Sequence, residues 1–135
     1  MLQRSVVAYM QVAHPWALFK GNARDSGKMS VWQGARAKKL GQGKSWPDLE
    51  FFEPNNQYAG LFIELKADQD EIFTKTGRLR EDEHTTEQAA MLAKLRKRGY
   101  YADFACSFDE AKDLIDWYLR GCRGNAPFVN LENHP

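Results

Sequence analysis

No run of apolar residues in the chain is long enough to cross a membrane or serve as a secretion signal, and Arg4, His14 and Lys20 break up residues 1–20. Export is therefore not expected, and the cytoplasm fits. Cysteine is scarce. Cys106 and Cys122 flank a predicted helix without C-x-x-C or Cys/His spacing, which favours two reduced thiols over a zinc centre or a disulfide framework. An excess of charge of either sign is also missing: nineteen Lys and Arg stand against eighteen Asp and Glu, so any nucleic-acid surface has to be local. Internal repeats and low-complexity stretches are absent. What remains is ordinary globular composition, 43% hydrophobic and 27% charged over 135 residues, enough for one domain with a core that needs no covalent staples.

Leu2, Val6, Tyr9, Met10 and Ala13 recur at helical spacing and Pro15 follows, so residues 2–13 read as an amphipathic helix. Ser30 with Gln33, and Gly41 after Leu40, bound a second helix over 31–40, while the basic, turn-rich segment 20–28 between them reads as a loop. Residues 48–53 read as a strand between Pro47 and Pro54, and 61–66 as a second strand after Gly60. Residues 67–83 read as a mobile hairpin or flap. Thr85 with Gln88 suggests a capping box for a helix carrying Met91, Leu92 and Leu95 and ended by Gly99. Residues 100–104 read as a third strand, and Ser107 with Glu110 opens a last helix whose face is Ala111, Leu114, Ile115 and Tyr118, stopped by Gly121. The alternation predicts an α/β domain over 1–121, a small mixed sheet flanked by helices, with 122–135 as a C-terminal tail.

The chemistry sits on the two strands. Successive side chains alternate across a strand, so Phe62, Glu64 and Lys66 share one face and Leu61, Ile63 and Leu65 the other. Asp48 opens the preceding strand, and pairing the two would bring Asp48, Glu64 and Lys66 together. Two converging carboxylates suit a hard divalent cation, with the Leu65 carbonyl as a further oxygen. Such an ion activates water against a phosphodiester, and a lysine beside it orients the attacking water or stabilises developing charge. The spacing alone is weak, because most E-x-K pairs on strands are solvated faces or ordinary ion pairs.

The neighbouring residues make it specific. Pro47-Asp48-Leu49, Gly60-Leu-Phe-Ile-Glu-Leu-Lys66, His84-Thr-Thr-Glu-Gln88, Leu95-Arg-Lys-Arg-Gly-Tyr100 and Phe108-Asp-Glu-Ala111 occur in order over most of residues 1–120. Together they resemble the VRR-NUC branch of the PD-(D/E)XK nucleases, found in phages and in eukaryotic repair nucleases. The resemblance implies a restriction-endonuclease-like core, a Mg²⁺ or Mn²⁺ cofactor, Asp48 and Glu64 as metal ligands, Lys66 as the catalytic lysine and Gln88 as a further active-site residue. It also implies cleavage of branched DNA such as Holliday junctions by a homodimer, as in the stand-alone phage members, in a bacterial or phage-infected cell. One departure is evident: the family carries a glutamate in the first helix, where this chain offers Gln3.

Gln88 has a second reading, as the N3 member of the capping box begun by Thr85, and both can hold. His84 reads as a loop or cap residue, and Glu50 as a solvated strand position. Arg24, Lys28, Arg36, Lys38, Lys39 and Lys44, clustered before Asp48, are the candidate phosphate contacts, with a charged soluble face as the alternative. No base-reading motif is present. Trp16, Phe19, Val31, Trp32, Phe128, Val129 and Leu131 are apolar positions beyond the predicted core, able to line a dimer interface or pack beneath loops. The competing functional classes are a non-catalytic nucleic-acid-binding or assembly module of the same fold and a sequence-specific endonuclease.

Overall fold

The computed structural model describes residues 2–22, 36, 46–128 and 130–131. Helix α1 (Leu2–Ala13) forms where its periodicity places it, with Val6 and Met10, one turn apart, as its buried pair. Strands β1 (Phe19–Gly21), β2 (Leu49–Phe51), β3 (Leu61–Leu65) and β4 (Tyr101–Ala105) make one mixed sheet in the order β1-β2-β3-β4. The first two pairings are antiparallel and β3–β4 is parallel, so the chain between β3 and β4 must cross over, which it does through helix α2 (Glu83–Lys97). Helix α3 (Phe108–Leu119) follows β4.

The sheet separates two apolar clusters. Val6 and Met10 of α1 and Leu114, Ile115 and Tyr118 of α3 pack with Leu49, Phe51, Leu61 and Ile63 on one face. Leu92 and Leu95 of α2 pack with Phe62, Ala102 and Phe104 on the other. β3 is therefore buried on both faces, which explains its nearly unbroken apolar run; Glu64 is the exception.

Four segments of the sequence reading bear on the site. Segment 20–28 is not wholly loop: Lys20 and Gly21 belong to β1, a three-residue strand too short to carry a periodicity of its own and formed by pairing Phe19, Lys20 and Gly21 with Phe51, Glu50 and Leu49. The predicted helix at 31–40 lies outside the described residues, apart from Arg36. Residues 67–83 contain a 3-10 turn (Gln69–Glu71) and a small hairpin closed by a Phe73–Leu79 bridge and anchored by the fully buried Ile72. Residues 122–131, read as a tail, include Cys122, Asn130 and Leu131, all buried. Asn130 N–H donates to Asp103 Oδ2 at 2.9 Å, and its side-chain amide donates to the Phe104 carbonyl at 2.8 Å, covering the β4 edge.

The cap of α2 also differs. Asp82, not Thr85, is the N-cap, and its carboxylate accepts the Thr85 N–H at 2.9 Å. That bond holds the Asp82 carboxyl below the usual carboxylate range, as an N-cap acceptor should be. Ser107 caps α3 as predicted, accepting the Glu110 N–H at 3.0 Å. Asp82→Ala is expected to cost about 1 kcal/mol (range roughly 0.5–2) in a denaturant titration, and Ser107→Ala a similar amount. Thr85→Ala, if Thr85 were the cap, would do the same; here it should leave the helix start intact.

Candidate active site

The site begins with strand register. β1 pairs Gly21 with Leu49, and β3 pairs Ile63 with Leu49. One step further along both ladders Asn22 stands opposite Asp48, and Asp48 opposite Glu64; the Asn22 N–H donates to the Asp48 carbonyl at 2.8 Å, extending the first ladder by that residue. Directly opposed residues project to the same face, so Asn22, Asp48 and Glu64 form a row across three strands. Lys66 shares that face, two positions after Glu64. Helix α2 covers it and delivers Gln88.

Glu64 and Gln88 are each only 1% exposed, and Asp48 and Lys66 are buried as well. Gln88 Nε2 donates to Glu64 Oε1 at 3.0 Å. The Leu65 N–H donates to Asp48 Oδ2 at 2.8 Å, and the Lys66 N–H to the Ala105 carbonyl at 2.9 Å. Within a strand the N–H and C=O of one residue point to the same side, so the Leu65 carbonyl is turned toward the Asp48 side, while Lys66 is tied to β4. The structure thus brings Asp48, Glu64, Lys66 and Gln88 to one place. Gln88 is not a capping residue, because Asp82 has that role and the Gln88 amide is spent on Glu64.

Two observations bear on whether these residues fit a divalent cation. Two buried carboxylates share one face with a buried ammonium, and carboxylate oxygens are the ligands that a hard cation takes. In addition, Gln88 Oε1 is buried without a hydrogen-bond partner among the described residues, although such atoms are nearly always satisfied. It needs a donor, and a water belonging to a partly hydrated ion is one. Among the described residues no group of three or more His, Cys, Asp or Glu converges. The oxygen donors on offer would be two carboxylates and the Leu65 carbonyl, a set of the kind that Mg²⁺ and Mn²⁺ accept once waters complete the shell.

Glu50 departs from expectation. It is buried rather than solvated, with Oε2 accepting from Asn22 Nδ2 at 2.7 Å and lying 3.6 Å from Lys20 Nζ. The physical reason is β1, which covers β2 on that side and supplies both partners. Gln3 reaches the same region: its Nε2 donates to the Asn22 carbonyl at 3.1 Å. Asn22 itself carries no sequence signal, since its importance depends on a pairing between β1 and β2.

His84 is exposed in the first turn of α2, as expected of a cap-region residue. Of the basic candidates, Arg36 is exposed, and Arg24, Lys28, Lys38, Lys39 and Lys44 lie outside the described residues. Cys106 and Cys122 are free and buried. Burial, then Glu110 and Asp103, push the Cys106 thiol up to about 12, so it stays protonated near neutrality and offers no thiolate nucleophile. No helix among the described residues is long and apolar enough to cross a membrane.

No protein-family model and no curated protein matches the chain. Among solved structures it is similar to one described as a VRR_NUC domain protein, at 22% identity and a TM-score of 0.61, over 89% of this chain and 86% of that one. A similarity of that extent covers most of both chains, and the chain therefore has the fold of a VRR_NUC domain.

Proposed function

We propose that the protein is a divalent-metal-dependent DNA endonuclease, using Mg²⁺ or Mn²⁺, selective for branched DNA such as Holliday junctions and acting as a homodimer. The observation that carries the hydrolytic part is the buried row of Asp48, Glu64 and Lys66 facing Gln88, whose Oε1 lacks a partner among the described residues. Asp48, Glu64 and the Leu65 carbonyl would hold the ion. When bound, it neutralises phosphodiester charge and makes a water more acidic. Lys66 presents a positive charge where the phosphate accumulates negative charge. Gln88 Nε2 fixes the rotamer of Glu64, and its Oε1 accepts a hydrogen bond from water at the site. The strand ladders and the lid of α2 hold these groups in place before substrate arrives, which is where such sites gain rate.

Support for a nucleic-acid substrate comes from the sequence resemblance and from the VRR_NUC description of the similar structure. The hairpin between β3 and α2 adds Lys75 and Arg78, exposed side chains without an ion-pair partner among the described residues, on a loop whose two ends flank the site. For the dimer, Phe19, Phe128 and Leu131 are packed within the chain, and Val31, Trp32 and Val129 are outside the described residues. Trp16 remains 60% exposed, near an exposed Leu18–Phe52 pair at the far end of the β1–β2 ladder.

Plasmid, flap and four-way-junction DNA incubated with Mn²⁺ separate the readings. The expected outcome is cleavage abolished by chelation, fastest on the junction, with Ca²⁺ supporting binding but poor turnover. Sequence-defined cuts in linear DNA would favour a restriction-like enzyme, and binding without cleavage a non-catalytic module. Light scattering should give twice the chain mass; a monomer that only nicks would remove the dimer and junction parts alone.

A further inference from the structure

Asn22 uses its polar groups around Asp48 to an extent that packing does not require. Its backbone N–H holds the Asp48 carbonyl at 2.8 Å. The two protons of its side-chain amide go to the Pro47 carbonyl at 2.5 Å and to Glu50 Oε2 at 2.7 Å. Its own carbonyl accepts from Gln3 Nε2 at 3.1 Å. The two carbonyls on either side of the Asp48 Cα, those of Pro47 and Asp48, are thus held by one residue, which is itself held by Glu50 and Gln3. Gly21 makes this possible, because a Cβ there would come within 2.6 Å of Gln3 Nε2.

We infer that Asn22 is a positioning residue that fixes the Asp48 carboxylate for cation binding through the Gln3–Asn22–Glu50 network. Asp48 follows the end of segment 23–47 and precedes the first residue of β2, so the β2–β3 ladder does not by itself restrain the backbone before it. Asn22 supplies that restraint. Asp48 can then reach the Leu65 N–H while still facing Glu64. The position of Gln3 in α1 has an equivalent logic: with an amide instead of a carboxylate, the first helix contributes a donor to the Asn22 carbonyl. The inference rests on the cation-binding reading above, but the placement of Asp48 can be measured without any metal.

The test is amide hydrogen exchange by NMR on the full-length, metal-free protein, because the Leu65 N–H reports directly on Asp48 Oδ2. In Asn22→Ala the Leu65 amide should exchange faster by about tenfold or more, while Lys66, whose N–H is held by Ala105, stays protected. Gly21→Ala keeps Asn22 and pushes aside the flexible end of Gln3, so a smaller acceleration is expected, and it serves if Asn22→Ala does not fold. Glu50→Gln, which retains an acceptor for Asn22 Nδ2, should restore most of the protection lost in Glu50→Ala. Mn²⁺ titration followed by electron paramagnetic resonance should then show affinity reduced about 10–100-fold in Asn22→Ala. Unchanged Leu65 exchange in Asn22→Ala and Gly21→Ala overturns the inference and leaves the cation reading intact. Accelerated Leu65 exchange in a protein whose parent form binds no Mn²⁺ supports the positioning role and overturns the cation reading instead.

Discussion

Lys66→Ala is expected to slow single-turnover DNA cleavage by about 10²–10⁴-fold, with DNA binding largely kept. Lys66 is buried on the same face as Glu64, so its ammonium cannot be replaced by bulk cations or by a neighbouring side chain without rearrangement. Glu64→Gln and Asp48→Asn should lose activity to a similar degree for a different reason, since each would remove an anionic oxygen from the donor set of the proposed cation. Glu64→Gln is the cleaner of the two: the new amide oxygen can still accept from Gln88 Nε2, so the melting temperature should hold or rise as a buried charge is removed. Asp48→Asn also weakens the acceptor of the Leu65 N–H and should cost some stability. Gln88→Glu sets a third carboxylate against Glu64 and should alter rate and metal preference, an effect that a helix cap would not have. Parent-like cleavage by purified Lys66→Ala would remove the central claim.

Asp103 should make the fold less stable as pH rises from acidic to neutral. It is fully buried on the edge strand β4, and burial pushes its carboxyl up to about 6, against the opposing help of the Asn130 and Phe104 N–H groups and of Arg96. A carboxyl that binds its proton more tightly when folded stabilises the fold below its unfolded value, and this contribution is lost as pH rises through the folded value. The loss between about pH 4 and pH 7 amounts to roughly 2–3 kcal/mol from this one group. Urea titrations of the parent and Asp103→Asn across this range should show the parent's stability falling relative to the variant by about that amount. The absolute stability of Asp103→Asn is less informative, because an asparagine has one side-chain acceptor oxygen where Asp103 uses two, Oδ1 for the Phe104 N–H and Oδ2 for the Asn130 N–H. A constant difference across the range would mean that Asp103 titrates normally. The same measurement reports on residues 130–131, whose attachment over the β4 edge depends on this carboxylate.

Much of the site was legible because its determinants are local. Alternation along β3 puts Glu64 and Lys66 on one face whatever the rest of the chain does, and the 3.6-residue period of α2 puts Gln88 with Leu92 and Leu95 on its inward side. Pro15, Gly99 and Gly121 mark helix ends through backbone constraints intrinsic to those residues; Gly99 and Gly121 adopt positive φ, at 93° and 89°. For the same reason the resemblance carried by residues 47–49, 60–66 and 84–88 was readable before any coordinates.

Non-local pairing was beyond the sequence. Thr85 and Asp82 both have side chains able to cap α2, and only the backbone path entering the helix decides that Asp82 does. Asp103 reads as an ordinary polar residue on an edge strand until Arg96, Asn130 and Leu131 close over it. Glu50 reads as solvated until β1 lies beside it, and Asn22 reads as part of a turn until its hydrogen bonds to Pro47 and Asp48 are known. The sequence by itself therefore determined which residues carry charge and which face of each element they occupy, because these follow from covalent geometry and period. Only the tertiary structure decided which of those charges are buried and what holds them there, because burial depends on what other segments bring to the same face.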